Sequence, residues 1–346
     1  MSLPFIALEA SVLAIPIESA PSSEVHSYLL KLIDWSALLD DTPASVVISE
    51  LATQAMFDSN RFPSVDRLDQ LLRSRDIQEY DGRTISRMIS RLLELTPSLE
   101  HATGLSSMLI DNFSASPDTA LPLEGWAPLR TDHVNCLCHI ALSASQPETV
   151  RSHLFVSSIT TCSLTEVSFT LYDIDSTDSN RPLARELPAE ISCAIPVASD
   201  TANAFSSFNA ENIWLTAESD AELRFAIRCA IAQTSKAFGI KGPIRKFKFG
   251  RNFVASLRSL GALQSDRLAA KTLQAVALTV LMLRLPLTHA LRTGSGPNDA
   301  QQRRGGDFAW RRDVDYEFHL HYWECSGNEV ELAALVTHND FSIPRT

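Results

Sequence analysis

Between Asp313 and His321 every second residue can hold or transfer a proton: Asp313, Asp315, Glu317, His319 and His321. Successive side chains on a strand point to opposite faces, so on a strand these five share one face. Val314, Tyr316, Phe318, Leu320 and Tyr322 then take the other. Carboxylates two residues apart on a strand lie about 7 Å apart, within reach of one divalent ion or one water. The two imidazoles complete such a site or act as acid and base. The chemistry implied is metal-dependent phosphodiester hydrolysis. Asp313, Asp315, Glu317, His319 and His321 are its catalytic candidates, and Asp315, Glu317 and His319 its ligands for magnesium or manganese. His338 and Asp340 return to the start of the strand if the chain closes as a hairpin. The same pattern also describes an ordinary solvent-facing or interface-facing strand rich in acids, and no established nuclease signature accompanies it.

A second stretch interleaves cations with aromatics: Lys241, Arg245, Lys246, Lys248 and Arg251 with Phe247, Phe249 and Phe253. Cations neutralise phosphates and release counterions, and aromatic rings stack on exposed bases, so this is the composition of a nucleic-acid contact. The surroundings reinforce it. From Leu223 to Arg312 there are 17 basic and 3 acidic residues, a net charge of +14 inside a chain whose total is -11. The remaining residues carry 13 basic and 38 acidic groups, or -25. Such asymmetry fits an anionic partner, either nucleic acid or an acidic protein. It fits equally well two regions of one molecule that neutralise each other.

His133-x-x-Cys136-x-Cys138-His139 offers thiol and imidazole ligands that suit zinc. Structural zinc sites draw on two separated ligand pairs, and only one cluster is present here, so the spacing reads as small cysteines packed inside a helix. No Gly-x-x-x-x-Gly-Lys-Ser/Thr, Gly-x-Gly-x-x-Gly, Gly-x-Ser-x-Gly or His-Glu-x-x-His occurs, which removes the commonest nucleotide, dinucleotide, hydrolase and zinc-protease signatures.

The elements that would position these residues follow from periodicity and punctuation. Apolar residues at spacings of three and four predict amphipathic helices from about 24 to 113, making residues 1–115 a helical N-terminal domain. Proline and serine after 113 predict a linker and short helix over 116–150, including a helix from Asp132 to Ala144. Residues 151–346 read as an α+β domain. Strands are expected at Leu154–Val156, Glu166–Tyr172 and Ile191–Val197. Ser219 or Asp220 caps a helix that ends near Gly239, and a long buried helix runs from Asp266 to Arg284. The acidic strand, a Ser326-Gly327-Asn328 turn and a return strand Glu329 to Thr337 close the chain as a β-hairpin. The fold class is therefore α+β, with a helical N-terminal region followed by a mixed region holding a mostly antiparallel sheet.

No apolar run reaches the ~18 to 20 residues that span a bilayer. Met1 to Ile17 lacks a basic start and contains Glu9, unlike a signal peptide. Six scattered cysteines in 346 residues are not a disulfide framework, which favours a cytoplasmic protein with reduced thiols. The expected function is a non-catalytic subunit or adaptor of a larger assembly, its basic 223–312 segment engaging nucleic acid or an acidic protein. The alternative is a metal-dependent nuclease built on 313–321, and a third possibility is a structural domain whose regions neutralise each other.

Overall fold

The computed structural model describes residues 5–41, 46–119, 123, 125–145, 154–156, 163–176, 186–240, 244–283, 287–294, 296 and 298–345. The chain divides into two compact units, Ser2–Ala204 and Phe205–Thr346. The first holds 12 basic and 27 acidic residues, a net of -15, and the second holds 18 and 14, a net of +4. The +14 of the basic stretch is thus largely offset within its own unit, by four acids before Leu223 and seven after Arg312.

In chain order the first unit contains β1 (Ile6–Leu8), α1 (Ala10–Leu13), α2 (Ser22–Asp41), β2 (Val46–Ile48), α3 (Ala52–Asp58), α4 (Val65–Ser74), α5 (Gly82–Leu95), α6 (Leu99–Thr103), β3 (Leu105–Ser116), α7 (Ala127–Ala144), β4 (Leu154–Val156), β5 (Leu164–Ser176) and β6 (Ala189–Ala198). Its strands make one sheet in the order β2-β1-β4-β6-β5-β3. β1 pairs in parallel with β2 and β4, and β4 with β6, whereas β5 is antiparallel to both β6 and β3. Helix α7 lies against β4, β5 and β6 and supplies Cys136, Leu137, Ile140 and Ala141 to the same apolar core as Phe155, Val167, Phe169 and Ile195.

Several helices begin where their caps dictate. Asp81 accepts the Thr84 amide (2.8 Å) and starts α5, so the Asp81-Gly82 pair opens a helix. Pro128, expected in a linker, occupies the first turn of α7, where its missing N–H has no intrahelical partner to lose. The stretch read as helical to 115 holds three strands. β1 and β2 are three apolar residues each, buried throughout, and a run that short carries no period to tell strand from buried helix. Val46–Ile48, inside the stretch expected to be helical from about 24 to 113, is a strand. Ser114–Ser116, expected in a linker, close β3 and pair with β5.

The second unit opens as α8 (Thr201–Ser207) ends, then runs through α9 (Ala210–Leu215), α10 (Asp220–Phe238), β7 (Lys246–Phe249), α11 (Phe253–Ser259), α12 (Asp266–Val280), β8 (Thr288–Ala290), β9 (Arg303–Arg304), β10 (Asp307–Asp313), β11 (Phe318–Cys325) and β12 (Glu329–Thr337). Ser219 and Glu222 form a reciprocal capping box at the start of α10, and Gly239 ends it in the left-handed region (φ 63°). The sheet order is β7-β12-β11-β10-β8, with β9 beside β10; all pairs are antiparallel except β7 with β12. α12 is buried along most of its length and reaches β10, β11 and β12 on one face of the sheet. It ends at Val280, and Arg284 lies outside the described residues. The fold is α+β, one sheet mixed and the other mostly antiparallel.

The acidic stretch is not one strand. β10 ends at Asp313, a turn covers 314–317, and β11 begins at Phe318. Asp315 makes the turn: its Oδ1 accepts the amides of Glu317 (2.9 Å) and Phe318 (3.1 Å). A side chain bonding backbone two and three residues ahead does here what glycine or proline does elsewhere, so alternation alone misses it. The following hairpin is as expected, with Gly327 (φ 81°) and Asn328 (φ 60°) supplying the left-handed conformations and β12 spanning Glu329–Thr337.

Candidate functional site

The turn redistributes the acidic and imidazole residues. Asp313 lies opposite His319 in the β10–β11 ladder, with Oδ1 3.4 Å from His319 Nε2. His289, from β8, brings Nε2 to 3.8 Å from the other Asp313 oxygen, and His338 packs its ring 4.6 Å from that of His319. His321 is on the same face, its ring 6.5 Å from that of His319, and donates through Nδ1 to the Ser342 carbonyl (2.8 Å). Asp315 leaves this face. It reaches Lys271 on α12 at 3.3 Å, and α12 also takes Arg312, whose Nε donates to Thr279 Oγ1 at 2.8 Å. Arg312 pairs with Leu320, so α12 covers the face opposite His319. Glu317 is exposed in the turn. The predicted metal set of Asp315, Glu317 and His319 therefore does not converge. Among the described residues no group of three or more His, Cys, Asp or Glu is placed to hold an ion.

Burial holds His319 and His321 below the usual imidazole range, His321 at about 4, with Asp313 pulling His319 the other way. Desolvation penalises imidazolium more than one half-exposed carboxylate favours it.

The basic stretch is partly consumed by its own sheet. Lys241 lies outside the described residues. Arg245, 9% exposed, donates to Glu324 at 2.6 Å, and Lys248 donates to Glu329 at 2.6 Å with Glu331 at 3.8 Å. Phe247 is buried, with Arg228 5.8 Å from its ring centre, and Phe249 sits under Arg224 at 4.3 Å. These rings are packed against the unit's own arginines. Lys246 and Arg251 remain outward.

An open cleft of about 450 Å³ lies at the far end of the same sheet, walled by Phe308, Trp310, Gln301, Glu324 and Ser326. Phe308 and Trp310 alternate along β10 and are half-buried, and the Arg303 guanidinium lies 4.7 Å over the Phe308 ring. Arg245 holds Glu324 in the wall, so the acid inside the cleft is neutralised from behind. Sequence reasoning missed these residues, although Phe308 and Trp310 stand two apart directly upstream of the acidic stretch. His289 carried no signal at all: it is a lone imidazole brought in by strand pairing.

The cluster on α7 is fully buried. Cys136 and Cys138 pack in the apolar core, and burial pushes both thiols well up. His139 contacts Thr103 Oγ1 (3.2 Å) and is pushed down to about 4 by burial. His133 lies between Glu9 and Thr119, at 2.5 and 2.8 Å. With both ring nitrogens of His133 occupied, the four residues do not assemble a zinc site. No family model, no curated protein and no solved structure matches this chain.

Proposed function

We propose that the second unit is the non-catalytic binding part of a subunit or adaptor and engages single-stranded nucleic acid, with bases entering the cleft beside Phe308 and Trp310. One observation carries this reading: two half-buried aromatic rings face an open cleft beside an arginine, in a unit of net positive charge. Aromatic faces accept any base, each stacked base contributing about 1–3 kcal/mol. Gln301 and Ser326 supply hydrogen-bonding groups at the rim. Outward cations such as Lys246 and Arg251 provide the salt-dependent backbone attraction.

An acidic protein segment is the competing partner for the same cations, and it has no use for the rings. Metal-dependent cleavage has less beneath it, because Asp315 turns to Lys271 and Glu317 is exposed in the turn.

Fluorescence anisotropy with labelled single-stranded DNA and RNA, against polyglutamate across a salt series, tests the reading. Oligonucleotide binding should fall by roughly 5- to 150-fold in Trp310→Ala. If polyglutamate binds as tightly and Trp310→Ala changes nothing, the acidic-partner reading replaces this one.

A further inference from the structure

The first unit holds a hydrogen-bonded chain that the proposed binding role does not use. Glu9 immediately follows β1, His133 is on α7, and Thr119 is in the segment after β3. His133 Nδ1 meets Glu9 Oε2 at 2.5 Å, and Nε2 meets Thr119 Oγ1 at 2.8 Å. All three are buried, Glu9 and His133 at 0% exposure and Thr119 at 2%. The hydroxyl of Ser11 donates to the other Glu9 oxygen. With Nδ1 donating to Glu9 Oε2, the proton sits on Nδ1 and Nε2 turns its lone pair to the Thr119 hydroxyl. That is the polarity a general base needs: an acid fixes the tautomer and the far nitrogen faces the nucleophile.

The location supplies a second, independent reason. β1 lies between β2 and β4 and is parallel to both, and the chain leaves β1 toward β2 on one side and reaches β4 later on the other. Ligands of such sheets bind beyond the carboxyl ends of the strands at this reversal. Glu9 caps β1 there and Ser49 caps β2, with Asp132 accepting the Ala10 amide at 2.8 Å beside them. Pro117 and Asp118, just before Thr119 in the chain, are exposed.

We propose that Thr119, His133 and Glu9 form an acyl-transfer centre, with Thr119 Oγ1 the nucleophile toward an ester or thioester carbonyl. Oγ1 bonds to the acyl carbon while its proton passes to His133 Nε2. The tetrahedral adduct then collapses, breaking the bond to the leaving alkoxide or thiolate, which takes the proton from Nε2. Water adds to the acyl-threonine and gives a proton to Nε2. Release of the carboxylic acid returns that proton to Thr119. Glu9 is a positioning residue, holding the tautomer and stabilising the transient imidazolium.

The test treats the full chain with p-nitrophenyl acetate and follows nitrophenolate release, intact mass and peptide mapping. One acetyl group should map to Thr119 in the natural chain and to the serine at position 119 in Thr119→Ser. The rate should drop at least roughly 100-fold in His133→Gln, the lower end of what a general base contributes. In Glu9→Gln the acid limb of the pH–rate profile should move to lower pH, since the carboxylate no longer favours imidazolium; a slower rate with an unmoved profile would refute the assigned role of Glu9. No acetyl on Thr119 of the folded natural chain overturns the proposal. So does acetylation of lysines alone, untouched by His133→Gln. If a variant melts early, the mapped position in the natural chain decides alone.

Discussion

Arg245 Nη2 donates to Glu324 Oε1 at 2.6 Å, reaching across β12 from the residue before β7 to the far end of β11. The guanidinium is 9% exposed and the carboxylate 22%. Removing the arginine leaves a carboxylate bare in the cleft wall. Arg245→Ala should cost about 1–3 kcal/mol in urea unfolding and weaken oligonucleotide binding by putting uncompensated negative charge beside the bases. Arg245→Ala with Glu324→Gln should recover most of the affinity. If the double variant binds as poorly as the single, Arg245 meets the ligand itself and this account of the wall is wrong.

Salt dependence separates outward cations from paired ones. Lys246 and Arg251 are exposed, whereas Lys248 is held by Glu329 and Glu331. Each phosphate contact on a single strand contributes about 0.7 to the slope of log affinity against log salt. Lys246→Ala and Arg251→Ala should each flatten that slope by up to this amount, and Lys248→Ala should leave it in place. Titrations at four salt concentrations read the difference; a slope changed only by Lys248→Ala would reverse the assignment.

His321 fixes a pH window. Its folded value of about 4 lies below the ordinary 6.5, mainly through burial. The unfolded chain therefore takes up the proton first, and the stability from keeping this imidazole neutral is complete above 6.5 and lost as pH falls toward 4. Between pH 7 and pH 4 the natural chain should lose about 3 kcal/mol more than His321→Gln. His139 acts in the same direction in the other unit, while Asp132, pushed up to about 6 by burial, acts in the opposite one. The comparison with His321→Gln cancels both. Equal losses in the two proteins would mean that His321 is protonated in the fold.

Ser219 at the start of α10 accepts the Glu222 amide while Glu222 accepts the Ser219 amide (2.9 Å). Ser219→Ala should destabilise the protein by about 1 kcal/mol, read as a lowered midpoint in urea. Ser219→Asp should retain most of the stability, because it keeps an acceptor at the cap; if it does not, the hydroxyl serves something other than the helix.

Legibility followed sequence distance. The α10 boundaries were readable because Ser219 and Gly239 are local signals, and so was the hairpin at Gly327 and Asn328. The alternation of His319 and His321 on β11 also held, since period two needs only adjacent residues. What failed was non-local or periodless. β1 and β2 are too short to display a period, and the Asp315 turn contains no breaker residue. Arg245 and Lys248 find their acids 79 and 81 residues away, and His133 finds Glu9 at a separation of 124. No window along the chain contains both partners of those pairs.

Among the described residues β7 has its only ladder with β12, Lys246 opposite Glu329 and Phe249 opposite Leu332. A ribosome adds roughly 5–20 residues per second, so β7 emerges several seconds before the strand that will hydrogen-bond it exists. In that interval Lys246 and Lys248 flank an unpaired edge with positive charge, which keeps nascent copies from pairing with each other. The positive charge of this stretch therefore acts on the unfinished chain as well as on any ligand the finished protein binds.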